Sequence, residues 1–156
     1  MATNFMNFKT KHGVVGTGDL LATTGGAHIR NIKATADIDN GSIVGCGDYQ
    51  KPDYYAETDA GTFSGKIIDI ASNGNFIVDV ISAENCWLVA TVPVIYEEYT
   101  QQCTHESNFY NAKDDLLRCI ELKQYDRFEA SKECFSGSPQ KGSTLTVTSK
   151  KLTVGE

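Results

Sequence analysis

One stretch of this sequence leaves little freedom in how it folds. Lys66-Ile67-Ile68-Asp69-Ile70-Ala71 and Phe76-Ile77-Val78-Asp79-Val80-Ile81 flank Ser72-Asn73-Gly74-Asn75. β-Branched residues suit a pleated surface, and Asn-Gly accepts the positive φ angles that a tight hairpin turn demands. Two such runs across Asn-Gly predict a β-hairpin. Alternation sets Phe76, Val78 and Val80 on one face and Ile77, Asp79 and Ile81 on the other. The second face is only partly polar, which suits a sheet covered on both sides or a barrel wall.

The same grammar runs through most of the chain. His28 to Ala34 reads as a first strand. Asp37 to Ser42 reads as a hairpin turn around Asn40-Gly41, followed by a short strand from Ser42 to Cys46. Lys51-Pro52-Asp53 is a loop, and Tyr54-Tyr55-Ala56 begins another strand. Cys86 to Val92 reads as a central strand ended by Pro93, which cannot donate to a ladder. Tyr96 to Asn111 is a long polar and aromatic loop. Ala112 to Leu117 is a short helical turn or a loop entering a strand. Arg118 to Leu122 and Arg127 to Ser131 predict a second hairpin across Lys123-Gln124-Tyr125-Asp126. Thr144 to Thr148 and Leu152 to Val154 alternate strictly as closing strands.

No segment carries an amphipathic helix longer than about two turns. Short strands separated by frequent turn signals predict an all-β fold, a small sandwich or partly open barrel of antiparallel strands. At 156 residues the chain fits one domain. Residues 1–28, with five glycines and no sustained period, read as an extended glycine-rich arm, and 29–156 as a single β domain.

Composition narrows the partners. Fourteen basic against twenty acidic residues give a net charge of −6. That argues against phosphate-driven nucleic-acid binding and against a polybasic membrane surface. No apolar run approaches the ~20 residues of a membrane-spanning helix. The N-terminus lacks a basic stretch followed by an apolar one, so no signal peptide is expected. The five cysteines, Cys46, Cys86, Cys103, Cys119 and Cys134, are odd in number and contain no Cys-x-x-Cys pair. Reduced thiols are expected, with Cys86 and Cys119 as small core residues.

Candidate chemistry is sparse. Gly13-Val14-Val15-Gly16-Thr17-Gly18-Asp19 has neither the Gly-Lys-Ser/Thr of a phosphate loop nor dinucleotide spacing. Cys103-Thr104-His105-Glu106, with His12 or His28, supplies one ligand pair where structural zinc needs two. The histidines have no Gly-x-Ser-x-Gly elbow to serve. Glu97-Glu98 and Asp114-Asp115 are adjacent acids that point apart. Asp37-Ile38-Asp39-Asn40-Gly41 lacks the distal glutamate of a calcium loop. No catalytic, cofactor-binding or metal residue is assigned, and an enzymatic role is not expected. Tyr49, Tyr54, Tyr55, Tyr96, Tyr99, Phe109 and Tyr110 are either a contact surface or caps on the ends of a small barrel.

Three phrases, in order, resemble the small head-decoration (auxiliary capsid) proteins of tailed bacteriophages. Asp37 to Val44 is similar to that family's Asn-Gly turn entering an apolar strand. Glu84 to Glu98 is similar to its apolar strand ending in a Pro-Glu-Val-x-Tyr-Asp-Glu phrase. Arg118 to Ser131 is similar to its Arg-x-Tyr-x-Leu-x-x-Gly-Asp-x-Phe-x-x-Ser hairpin, with Tyr125 standing where the family has glycine. Lys151 to Val154 also fits, so the resemblance covers residues 29–156. It implies a non-enzymatic virion structural protein on the outer surface of an expanded capsid, made in the bacterial host cytoplasm. It also implies the major capsid protein as partner, with self-association around local symmetry axes. The capsid-contact residues are unassigned. Two alternatives are a head-fibre base or host-surface adhesin, and a small β-barrel enzyme.

Overall fold

A computed structural model describes residues 13–16, 29–51, 54–72, 74–91 and 110–155. The expectations at Pro93 and across Tyr96 to Phe109 lie outside the described residues. The fold is all-β. Among the described residues twelve strands are present: β1 Val15–Gly16, β2 Ile29–Lys33, β3 Ile43–Gln50, β4 Tyr54–Thr58, β5 Phe63–Ile70, β6 Phe76–Ala83, β7 Trp87–Val89, β8 Leu116–Glu121, β9 Arg127–Ala130, β10 Phe135–Ser136, β11 Thr144–Thr148 and β12 Lys151–Val154.

They form two bodies. Five strands close into a barrel in the order β2-β4-β3-β7-β8, and seven make an open sheet in the order β1-β9-β6-β5-β11-β12-β10. The barrel is closed rather than partly open. β2 with β4 and β10 with β12 pair in parallel, where antiparallel pairing was expected. Residues 112–115 are a loop entering β8, not a helical turn.

Alternation along three barrel strands explains how the bodies join. Val44, Trp87, Val89 and Cys119 point into the barrel with Ile32 and Leu117. Their neighbours Ile43, Leu88 and Ile120 point outward into the main core, against Ile67, Val78, Val80, Phe128 and Leu145 of the sheet. β3, β7 and β8 are therefore apolar on both faces. The two-sided cover expected for the Phe76 to Ile81 run belongs to these strands instead. On β5 and β6 the inner face is buried along Ile67, Val78 and Val80, Ile81 is 47% exposed, and Ile70, opposite Phe76 at the end of the ladder, is 48% exposed.

The hairpin across Asn73-Gly74 is present, with β5 and β6 paired from Phe63↔Ala83 to Ile70↔Phe76. The other two expected hairpins are not. β2 and β3 do not pair with each other, although Gly41, at φ 90°, turns the chain between them. β8 and β9 belong to different bodies. Between them the chain turns tightly, Asp126 N donating to Lys123 O at 3.1 Å and Lys123 N to Asp126 Oδ2 at 2.8 Å. Two further bonds, Tyr125 N to Val80 O and Val80 N to Asp126 O, tie this corner to β6. β6 thus captures the chain as it leaves the barrel, and β9 adds to the sheet with Val78 opposite Phe128.

The expected arm needs correction at its one described piece. Val15 and Gly16 pair with Ala130 and Glu129 as an edge of the sheet. Val14 N donates to Ser131 Oγ and Ser131 N to Val14 O. Gly13 is buried against Asn40 and Cys134, where a Cβ would meet the Asn40 carbonyl. Val15 and Gly16 are sheet structure and Gly13 and Val14 are packed and hydrogen-bonded beside them, so these four are not a loose segment; residues 1–12 and 17–28 lie outside the described residues.

Tyr125 has φ 75° and is 77% exposed. A left-handed conformation costs a non-glycine residue about 1–2 kcal/mol. Tyr125→Gly relieves that strain while adding unfolded-state freedom of about 0.5–1 kcal/mol. The variant should therefore match or exceed the original stability by up to about 1 kcal/mol. Thermal denaturation reads this as an unchanged or slightly raised Tm; a clear fall would contradict the assigned conformation.

Candidate functional site

The seam between barrel and sheet opens into a groove of about 480 Å³, lined by the 36–42 segment, Glu57, Tyr110, Glu133, Cys134 and the β11–β12 turn. Its fixed point is Glu57, whose side chain is 1% exposed. Glu57 Oε1 lies 2.9 Å from Lys150 Nζ. Its Oε2 accepts from Thr35 N at 2.7 Å and from Thr35 Oγ1 at 2.9 Å. A carboxylate taken out of water needs such partners, because an unpaired buried charge is very costly. Lys150 is available because Ser149 and Lys150 both have positive φ, 52° and 65°, the turn geometry that suits strand twist. The Lys150 carbonyl also accepts from Ile43 N. One hairpin turn of the sheet is thereby fastened to the barrel by an ion pair and a backbone bond. Every partner is structural, and this arrangement holds the two bodies together.

Asn40 lines the groove and is held from behind by Asn111. Asn40 Nδ2 donates to Thr91 O at 2.8 Å, and its Oδ1 accepts from Thr91 N and Asn111 Nδ2. Asn111 also pairs with Ile38 through the backbone. Beneath lies Cys134, whose Sγ is 3.5 Å from Asn40 O. Burial pushes the Cys134 thiol up to about 11, against the lowering effect of Ser131 and Val14. Burial likewise raises Cys119, with the negative charge of Glu57 adding to it. A raised thiol pKa disfavours the nucleophilic thiolate. Cys46, Cys86, Cys119 and Cys134 are all free thiols. Cys86 and Cys119 occupy the two cores as expected.

A second constellation sits at one mouth of the barrel. Tyr55 packs under the barrel core. Arg30 lies over the Tyr55 ring at 5.8 Å, and Lys33 over Tyr54 at 5.2 Å. Tyr49 meets Tyr55 edge to face at 5.4 Å between centroids. A bulge makes this possible. Cys46 is opposite Glu57 and Tyr49 is opposite Tyr55, so β3 uses Gly47 and Asp48 where β4 uses only Ala56. Strict alternation would turn Tyr49 away from Tyr55; the extra residue returns it to the same side. A Cβ on Gly47 would approach Thr58 Cγ2 to 2.8 Å and the Ala56 carbonyl oxygen to 3.1 Å, so a side chain there would have to displace the Thr58 methyl.

Several sequence candidates lie outside the described residues: His12, His28, Glu97, Glu98, Cys103, His105, Tyr96, Tyr99 and Phe109. Those described do not converge. Asp115 Oδ2 caps Ala112 N, while Asp114 is exposed at φ 71°. Asp37 Oδ1 accepts from Lys113 N. Among the described residues no three His, Cys, Asp or Glu side chains form a metal-binding group. No described helix is long and apolar enough to cross a membrane. Of the aromatic set, Tyr49 and Tyr55 come together at the mouth, Tyr54 lies on the flank under Lys33, and Tyr110 lines the seam groove. Sequence reasoning missed Glu57, Thr35 and Lys150, whose spacing carries no signal. The Gly45-x-Gly47 pair was the one hint of the bulge.

In comparisons with known proteins, the chain matches no family model, no curated protein and no solved structure.

Two outcomes follow from this geometry. Glu57→Gln removes the charge opposite Lys150 and leaves an amide facing a cation, so stability should fall by about 1–3 kcal/mol. A double-mutant cycle with Lys150→Met should show non-additivity, because the second change removes a partner already lost. The thiols predict an alkaline limit. Below pH 9.0, the ordinary thiol value, Cys134 is neutral in both states and its burial costs nothing electrostatically. Above it the unfolded chain ionises first, so that contribution is lost as pH rises through about 11. Melting curves from pH 8 to 11 should show a falling Tm, with a shallower fall in Cys134→Ala.

Proposed function

We propose that this chain is a non-enzymatic virion structural protein that decorates the outer surface of an expanded phage head by binding the major capsid protein. The observation that carries the reading is at Tyr125. The phrase from Arg118 to Ser131 resembles the decoration-protein hairpin with tyrosine in place of glycine. In this fold that residue holds a φ of 75°, the conformation glycine favours. Phrase and backbone thus agree at Tyr125, one of two specified positions, with Ile120 in place of tyrosine, where the residue types differ. A two-bodied β scaffold whose described polar clusters are spent on internal fastening also suits adhesion better than bond chemistry.

The physics of such a role is differential affinity. A protein that binds the expanded lattice and not its precursor stabilises the expanded state by the difference in binding free energy. Repetition over a lattice multiplies a modest contribution per site, and self-association around local symmetry axes would add avidity. On this reading the protein is made in the host cytoplasm and resides on the outside of the virion.

Sedimentation tests it. Purified protein mixed with procapsids or with expanded heads of the phage that encodes it should pellet preferentially with the expanded heads. Equal failure to pellet with either, by a folded and monodisperse protein, would remove the reading.

A further inference from the structure

We propose that Asn73-Gly74 is a site of spontaneous covalent modification in this protein, and that the Asn40 clamp shields Asn40-Gly41 from the same reaction. These are the two Asn-Gly steps of the chain. The reaction is succinimide formation. The glycine backbone nitrogen bonds to the side-chain carbonyl carbon of the asparagine, and the carboxamide nitrogen leaves as ammonia, carrying off the glycine's amide proton. Water then opens the imide to aspartate or isoaspartate, with no change of oxidation state. Asn-Gly is the favoured pairing because glycine has no Cβ to crowd the attack. Two motions are needed. The carboxamide must swing toward the glycine nitrogen, and that nitrogen must release its own hydrogen bond.

At Asn40 one short piece of chain, from Val89 to Thr91, opposes both motions. The carboxamide is held at Thr91, with Nδ2 donating to Thr91 O at 2.8 Å and Oδ1 accepting from Thr91 N at 3.1 Å. Asn111 Nδ2 adds a third bond, to Oδ1 at 3.1 Å. The nucleophile is held at Val89, Gly41 N donating to Val89 O at 2.9 Å. Asn40 is 6% exposed and Gly41 is buried, which keeps out the water that opens the imide. The space that glycine leaves by lacking a Cβ is filled by Cys134 and Val15. Gly74 is the opposite case. It is exposed, and nothing lies within 4 Å of the place its Cβ would take. Its nitrogen donates to Ala71 O at 2.9 Å, a bond inside the β5–β6 turn itself. Opening that turn breaks no buried contact, and such local openings need far less free energy than openings of a buried cluster. The consequences also differ. At residue 73 the product adds a negative charge to an exposed turn. At residue 40 it would set an oxygen against Thr91 O where Nδ2 now donates, and so undo the clamp.

The test ages the full chain in mildly alkaline buffer, once folded and once in urea, and follows both steps by peptide mass mapping with isoaspartate identified by fragmentation. In urea the two asparagines should convert at comparable rates. In the folded chain Asn73 should convert, while Asn40 should convert at least roughly tenfold more slowly than it does in urea, because the reaction waits for the clamp to open. Asn111→Ala removes one bond from the Asn40 carboxamide and should speed conversion there severalfold without changing the rate at Asn73. Equal rates at Asn40 in the folded and unfolded chain, or a folded Asn111→Ala that converts Asn40 no faster, would overturn the shield. Conversion of Asn73 no faster than Asn40 in the folded chain would overturn the site. The comparison of folded chain with urea decides the matter even where Asn111→Ala fails to fold.

Discussion

Three strands of this protein serve two cores at once. β3, β7 and β8 direct Val44, Trp87, Val89 and Cys119 into the barrel, and Ile43, Leu88 and Ile120 into the layer shared with the sheet. Each fully buried Ile, Leu or Val contributes about 1.5–3 kcal/mol relative to exposure. A change on either face of these strands is transmitted to the other body, because a strand that shifts register exchanges its two faces. The three shared strands therefore couple the barrel's packing to the sheet's.

Polar fastenings then fix how the bodies sit. The Glu57–Lys150 pair, the Lys150 carbonyl on Ile43 and the corner of residues 123–126 on Val80 all cross from one body to the other. Apolar contact favours proximity without direction, whereas each of these bonds needs a particular placement. The seam groove lies beside the first two of these fastenings, with Glu57 and Lys150 in its lining. The barrel mouth differs, since Tyr49 remains half in solvent with its neighbours already in place.

Three turns show how far the sequence could be read. Asn73-Gly74 was legible because its flanking strands pair with each other, so local preference and tertiary structure agree. Asn40-Gly41 is the same dipeptide, and its turn is real, but the strands on either side do not pair. The Asn40 carboxamide is engaged with Thr91 and Asn111, 51 and 71 residues away in the chain, which no local rule anticipates. Ser149-Lys150 makes a tight hairpin without the favoured residues, in a turn also held by Glu57 and Ile43. The all-β class was therefore readable from alternation, while the strand partners were not. The candidate sites were less legible still. Glu57 has no motif, and the bulge reverses the side on which alternation would place Tyr49.

The Asn40 clamp has one more implication. By gripping Thr91 on one side and Asn111 on the other, it brings the chain's departure after residue 91 and its return near residue 110 to a single anchored doorway. Whatever sequence is threaded between those posts, the scaffold meets it with the same two fixed ends. A change of length between those posts should therefore leave the clamp and both cores in place, because the entropic cost of closing a loop grows only slowly with its length.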